Sequence, residues 1–358
     1  MSSISTRKKD HIDLTLNESS QYKRPTGFQM YQLKHNALPE CGLDDISFRS
    51  QLLGSEFEFP LFISSMTGGH GEATNLNAEI ATFCEHFKIP FGVGSQRVML
   101  DDSTHEKSFA IVRKKAPNAF IAANIGGAQL IGGMPSNRLQ SMINSIQANA
   151  VIVHLNPLQE LIQPEGDTQF DGVLKGIEQL VNESSVPLIV KETGAGIDSA
   201  VAKRLLNVGV KVIDVAGVGG TSWSRVEAAR ISSRPETDKV GSTLTRKYEL
   251  EMQERFNEWG NSTVYCLKSL QELAWEREFE IIASGGIRHA QDMIKARCLG
   301  AHFVAVAQPV VRVLKEEGLK GLEKWFNLWR KEATMIMTLL GVREWRLLSE
   351  EHITPHSS

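Results

Sequence analysis

The sequence is poor in the features that mark special environments. Four cysteines in 358 residues, Cys41, Cys84, Cys266 and Cys298, stand far apart and form no CxxC pair. That excludes a disulfide framework and a structural zinc site, and it points to reduced thiols in a cytoplasmic protein. Charge of neither sign dominates: 39 Lys+Arg face 42 Asp+Glu, for a net charge of -3. A general nucleic-acid binder needs a basic excess, so that class is set aside. No apolar run approaches the roughly 20 residues that cross a bilayer, and no membrane partner is expected. The opening stretch, MSSISTRKKDHIDL, lacks an apolar core and carries an acid early, unlike a targeting peptide.

What is present is a recurring unit. Short apolar, β-branched runs stop at glycine or polar residues, and a stretch with helical spacing follows each. The runs are FPLFISS from Phe59, PFGVGS from Pro90, AFIAANIGG from Ala119, AVIVHLN from Ala150, PLIVKETG from Pro187, VKVIDVAGVGG from Val210, FEIIASGG from Phe279 and AHFVAVAQ from Ala301. Near-continuous apolar strands alternating with helices predict a parallel sheet buried on both faces. Eight such units close most economically into an α/β fold of the (β/α)8 TIM-barrel type. The whole chain, 1–358, is then expected to be one barrel domain. Residues 1–58 read as an N-terminal arm and barrel cover, 59–320 as the barrel and 321–358 as a C-terminal helical segment. The long polar gap after the sixth run makes 222–262 a lid-like insertion.

In such a barrel, polar residues at strand C-terminal ends point into the site. Those ends supply Ser65-Met66-Thr67, Ser95-Gln96-Arg97, Asn124, His154 and Asn156 with Gln159-Glu160, then Lys191-Glu192, Gly219-Gly220-Thr221, Gly285-Gly286 and Ala307-Gln308. Gly285-Gly286 falls where this fold holds phosphate on backbone N–H groups. Lys191 ends a buried strand, so its ammonium needs either an ion pair, with Glu192 the nearest acid, or an electron-rich ligand ring. Glu160 offers a hard oxygen to magnesium shared with substrate phosphates. Arg7, Lys8, Lys9, His11 and Arg97 can gather around a dianion if the arm folds over the mouth.

Taken together, Arg7-Lys8 with His11, the MTGG run, Ser95-Gln96-Arg97, HLNPLQE from His154 to Glu160, Lys191-Glu192, Gly219 to Trp223 and Ser284 to Arg288 resemble the type 2 isopentenyl-diphosphate isomerase family. The resemblance implies a TIM barrel with FMN at its mouth. It implies flavin contacts at Ser65, Met66, Thr67, Ser95, Asn124, Lys191, Thr221, Gly285, Gly286, Ile287, Ala307 and Gln308. It implies substrate contacts at Arg7, Lys8, His11, Ser95, Gln96, Arg97 and Gln159, catalytic roles for Gln159, His154 and Asn156, and Mg2+ on Glu160. The implied reaction interconverts isopentenyl and dimethylallyl diphosphates, using reduced FMN as acid/base and charge stabiliser. NADPH or NADH would reduce the flavin, and a homo-oligomer, a tetramer or octamer, would be the working form.

The nearest alternative is an FMN-dependent barrel oxidoreductase of the α-hydroxy-acid oxidase type. Such enzymes use a base histidine at a late strand end, whereas VAGVGGTSW from Val215 to Trp223 has none. An inosine-monophosphate-dehydrogenase-like enzyme needs a cysteine in that same loop, and Cys266 lies in a helical stretch beyond it. A non-catalytic flavin-binding scaffold has no use for Gln159-Glu160 beside Asn156 and Arg97.

Overall fold

The computed structural model describes residues 11–66, 71–232 and 243–356. Residues 11–15 form one helical turn, and three short strands precede the barrel: β1 (Tyr31–Leu33), β2 (Ser50–Leu52) and β3 (Ser55–Phe57). All eight apolar runs then become barrel strands. They are β4 (Leu61–Ile63), β5 (Phe91–Gly92), β6 (Ile121–Gly126), β7 (Ala150–Leu155), β8 (Leu188–Glu192), β9 (Val212–Asp214), β10 (Glu280–Ala283) and β11 (Phe303–Val306). They pair in parallel, and β11 closes on β4.

Strand alternation divides the side chains into two cores. Phe62, Ala122, Ala150, Ile152, Ile189, Val212, Ile282, Phe303 and Ala305 point inward and fill the barrel. Their neighbours, among them Ile63, Ala123, Val151, Val190, Ile213 and Val304, pack outward under the helices. The barrel floor is closed from outside the strand set. The β2–β3 hairpin turns at Gly54, whose φ of 75° is a left-handed value that favours glycine. It inserts Leu52 and Phe57 into the inner core. Phe57 meets Phe120 and Phe303 edge to face, with ring centroids 5.8 and 5.5 Å apart, a favoured geometry for aromatic pairs.

The last strand runs directly into a long helix, Gln308–Leu340, broken at Gly318. Its Phe326 packs among Phe59, Phe83 and Phe87 on the barrel exterior. Within the segment 321–358 expected to be helical, the helix ends at Leu340, where Gly341 takes a left-handed cap at φ 71°. β12 (Ile353–Pro355) then pairs antiparallel with β1. Among the described residues, the insertion after β9 carries the helices Trp223–Ser232 and Thr243–Glu254. The first of them reaches the barrel mouth.

Candidate active site

The inward alternation continues above the apolar filling as a polar layer. Asn124, His154, Lys191, Asp214 and Ser284 follow Ala122, Ile152, Ile189, Val212 and Ile282 at a spacing of two residues. His154 Nδ1 lies 2.8 Å from Asn124 Oδ1. Lys191 is buried and sits opposite Asp214 in the sheet register. The Lys191 Nζ donates to the carbonyl of Glu192 at 2.5 Å. The Glu192 carboxylate turns elsewhere: its Oε2 accepts the backbone N–H groups of Thr193, Gly194, Ala195 and Gly196. Of the two partners open to Lys191 from sequence, the Glu192 side chain is therefore committed to its own loop. Burial raises the Glu192 carboxyl above its ordinary range against the pull of those N–H groups. Burial likewise raises Asp214, opposed by the nearby Lys191 charge and the Ser284 hydroxyl, which donates at 2.5 Å.

One cavity opens at the mouths of β4, β8, β10 and β11. It brings together Ser65, Met66, Lys191, Thr221, Gly285, Gly286, Ile287, Ala307 and Gln308, with His11, Trp223 and Arg288 at its edge. Its wall is shaped by glycine. A Cβ on Gly220 would lie 2.8 Å from the Gly286 nitrogen, and one on Gly285 would lie 2.0 Å from the Gly217 carbonyl oxygen. Gly285 and Gly286 also hold left-handed φ values of 96° and 77°. The glycines let these loops pack backbone on backbone, so main-chain rather than side-chain atoms line this part of the cavity. The Ser65 hydroxyl is buried there with no hydrogen-bond partner among the described residues. A ligand with a polar edge would complete it. A glycine-built main-chain wall, a buried ammonium and an unsatisfied hydroxyl on one cavity fit FMN.

Beside this cavity stands a hydrogen-bonded cluster. Helix Pro157–Ile162 starts at Asn156, with Pro157 at its first position. The Asn156 amide donates to Gln159 Oε1 at 3.2 Å and to Glu160 Oε1 at 3.0 Å. Gln159 Nε2 donates onward to Glu227 at 3.3 Å. Glu227 is fully buried on helix Trp223–Ser232 and lies 2.8 Å from His11 Nε2 and 2.7 Å from Arg230 Nε. Burial alone would raise the Glu227 carboxyl, but the His11 contact and the Arg230 guanidinium outweigh it and bring it down to about 2. It is an ionised anchor. His11 in turn meets the Trp223 ring edge-on at 5.2 Å.

Arg97 opens the short helix Arg97–Asp101, and its Nη1 lies 3.0 Å from Asp167 Oδ2. Glu160 is one carboxylate, and among the described residues no group of three His, Cys, Asp or Glu stands together as a metal cage. The Glu160 carboxylate accepts from the Asn156 amide on Oε1 and from the Asp167 N–H on Oε2.

The structure does not bring every expected residue to the mouth. Gln96, expected at the substrate, has its side chain turned into the protein. Its side chain is fully buried, donates to the Met142 carbonyl and Ser145 Oγ, and accepts from the Asn124 nitrogen. Both ends of its amide are thereby used inside the protein. Ser95 and Asn124 stand near the mouth but outside the glycine-walled cavity. Arg7, Lys8, Lys9 and Thr67 lie outside the described residues. Sequence reasoning missed Glu227, Arg230 and Asp167. The one available signal for the first two was an acid and an arginine three apart in a stretch of helical spacing, which is ordinary on a solvated helix face.

A family model described as FMN-dependent dehydrogenase matches residues 134–355. A protein of Chlorobium phaeovibrioides named isopentenyl-diphosphate delta-isomerase is 42% identical over 342 residues, covering 95% of this chain and 94% of its own. One of the same name from Nostoc sp. is 40% identical over 312 residues, with 87% and 85% covered. Among solved structures, a flavocytochrome b2 variant aligns at TM-score 0.68 and 17% identity, covering 96% of this chain and 82% of its own. A lactate oxidase from Pediococcus acidilactici aligns at 0.67 and 14%, with 96% and 87% covered. At such identities the likeness is one of fold.

Proposed function

The chain belongs to the isopentenyl-diphosphate delta-isomerase family, and from that premise we propose how its barrel mouth carries out the isomerisation of isopentenyl to dimethylallyl diphosphate. The reaction adds a proton at the terminal methylene carbon and removes one from the allylic CH2, leaving composition unchanged. When bound and reduced, FMN supplies an electron-rich ring that stabilises positive charge on the substrate and offers acid/base capacity. Ser65, Met66, Lys191, Thr221 and the glycines at 220, 285 and 286 are the residues that would hold it. The buried Lys191 ammonium favours negative charge on a neighbouring ring, since little water screens it.

The observation that carries the reading is the Asn156–Gln159–Glu160–Glu227–His11 chain beside that cavity. Glu227 and Asn156 grip the two ends of the Gln159 amide, fixing its plane toward the alkenyl end of the substrate. His154, oriented by Asn124, closes the other side. Arg97, with Arg7 and Lys8 of the arm, clamps the diphosphate through charge-assisted hydrogen bonds. Glu160 would be the protein ligand of a Mg2+ whose charge would offset that of the diphosphate. NADPH or NADH acts as the activating reductant. The exposed Leu328, Met335 and Leu339 on the long C-terminal helix supply an apolar stripe for a homo-oligomer.

The test is an anaerobic assay of the purified protein with FMN, Mg2+ and isopentenyl diphosphate, with and without NADPH. Dimethylallyl diphosphate is expected only with the reductant, without stoichiometric NADPH consumption. Absence of product from a folded, FMN-loaded protein would return the function to the oxidoreductase alternative.

A further inference from the structure

Arg97, assigned above to the diphosphate, already has an anionic partner. Its guanidinium donates to Asp167 Oδ2 at 3.0 Å, and the same oxygen accepts Gln129 Nε2 at 2.9 Å. Asp101 is a weaker neighbour of Arg97, at 3.9 Å, and its other oxygen is held by Arg138 at 2.6 Å. Asp167 is also held by its backbone. Its N–H donates to Glu160 Oε2 at 2.8 Å. The loop can come so close because Gly166 carries no side chain: a Cβ there would sit 2.0 Å from the Glu160 carbonyl oxygen. The acid is thus fixed at the same point as the guanidinium that is to receive a phosphate.

We propose that Asp167 is a placeholder for the diphosphate: it holds Arg97 in its binding position before substrate arrives, and the incoming diphosphate displaces it. This rests on the reading of Arg97 as a diphosphate ligand. An incoming anion meets a neutralised guanidinium, and to gain the bidentate contact it must take Arg97 from Asp167, which Gln129 also holds. Asp167 therefore preorganises the arginine and at the same time weakens anion binding. It is a positioning residue, acting through Arg97 and not on the reacting carbons. The side chains of Arg97 and Asp167 are 46% and 43% exposed, so solvent screens the pair and its effect is a factor of several, not of hundreds.

The experiment titrates inorganic pyrophosphate into the FMN-loaded protein by calorimetry, in a double-mutant cycle of Arg97→Ala and Asp167→Asn. Asp167→Asn is expected to tighten pyrophosphate binding about five-fold at low salt, the gain shrinking as ionic strength rises. In the Arg97→Ala background the same change should move binding by less than about two-fold. Weaker or unchanged binding in Asp167→Asn, with Arg97→Ala still weakening binding at least ten-fold, would remove the placeholder and leave Arg97 as a ligand. Equal tightening in both backgrounds would also overturn it, since the effect would then be the general field of one carboxylate. No effect of Arg97→Ala would overturn the Arg97 reading, and the proposal with it.

Discussion

The two ends of this barrel are made from the same eight strands and differ in what they bury. At the floor, the inward residues are Phe62, Phe120 and Phe303, sealed by Leu52 and Phe57 of the β2–β3 hairpin. At the mouth, two residues beyond the inward Ala122, Ile152, Ile189, Val212 and Ile282, they are Asn124, His154, Lys191, Asp214 and Ser284. The floor gains from dense aromatic packing. The mouth buries groups that are unfavourable there unless paired or ligated. Stability and chemistry are thereby divided along one axis, which lets strand ends diverge in function without loss of the closed sheet.

That division can be broken from either end. Phe303→Ala removes a fully buried ring that packs on Phe57. It should lower unfolding free energy by about 3–5 kcal/mol while the KM of the surviving enzyme changes little. Chemical denaturation alongside steady-state kinetics checks both parts. Lys191→Met should do the reverse, reducing turnover by about 10²–10³ with little change in melting temperature. Its partner Asp214 already has a raised pKa and is able to protonate once left without the ammonium. Equal losses of stability from both variants would erase the distinction.

The smallest effect lies in pH dependence below the barrel. His302, at the start of β11, is brought down to about 4 by burial and by Arg297, and its Nδ1 accepts the Ile281 N–H. A base whose folded pKa is depressed stabilises the fold above its unfolded value near 6.5. That contribution is lost as pH falls through about 4. His302→Asn, which keeps an acceptor, should therefore flatten the fall of melting temperature between pH 6.5 and 4 without moving the pH profile of turnover. Thermal scans across that range check it.

The floor and the mouth were also unequally legible. The barrel strands announced themselves because each is buried on both faces, and a doubly buried strand is an unbroken apolar run. Lys191 and His154 could be placed from their position at strand ends. Gln96 could not, because nothing local distinguishes an amide turned toward Met142 from one turned toward a ligand. Glu227 and Asp167 were hidden for a related reason. Their partners His11, Gln159 and Arg97 are distant in sequence, and only the closed barrel brings them together.

The most direct measurement of the central claim, proton chemistry at the polar mouth, is turnover of isopentenyl diphosphate by the reduced protein in D2O. The account predicts solvent deuterium in the product at the carbon that began as the terminal methylene, with NADPH left unconsumed beyond activation. Product free of deuterium, or formed one-for-one with NADPH oxidation, would contradict it and mark the mouth as a hydride-transfer site.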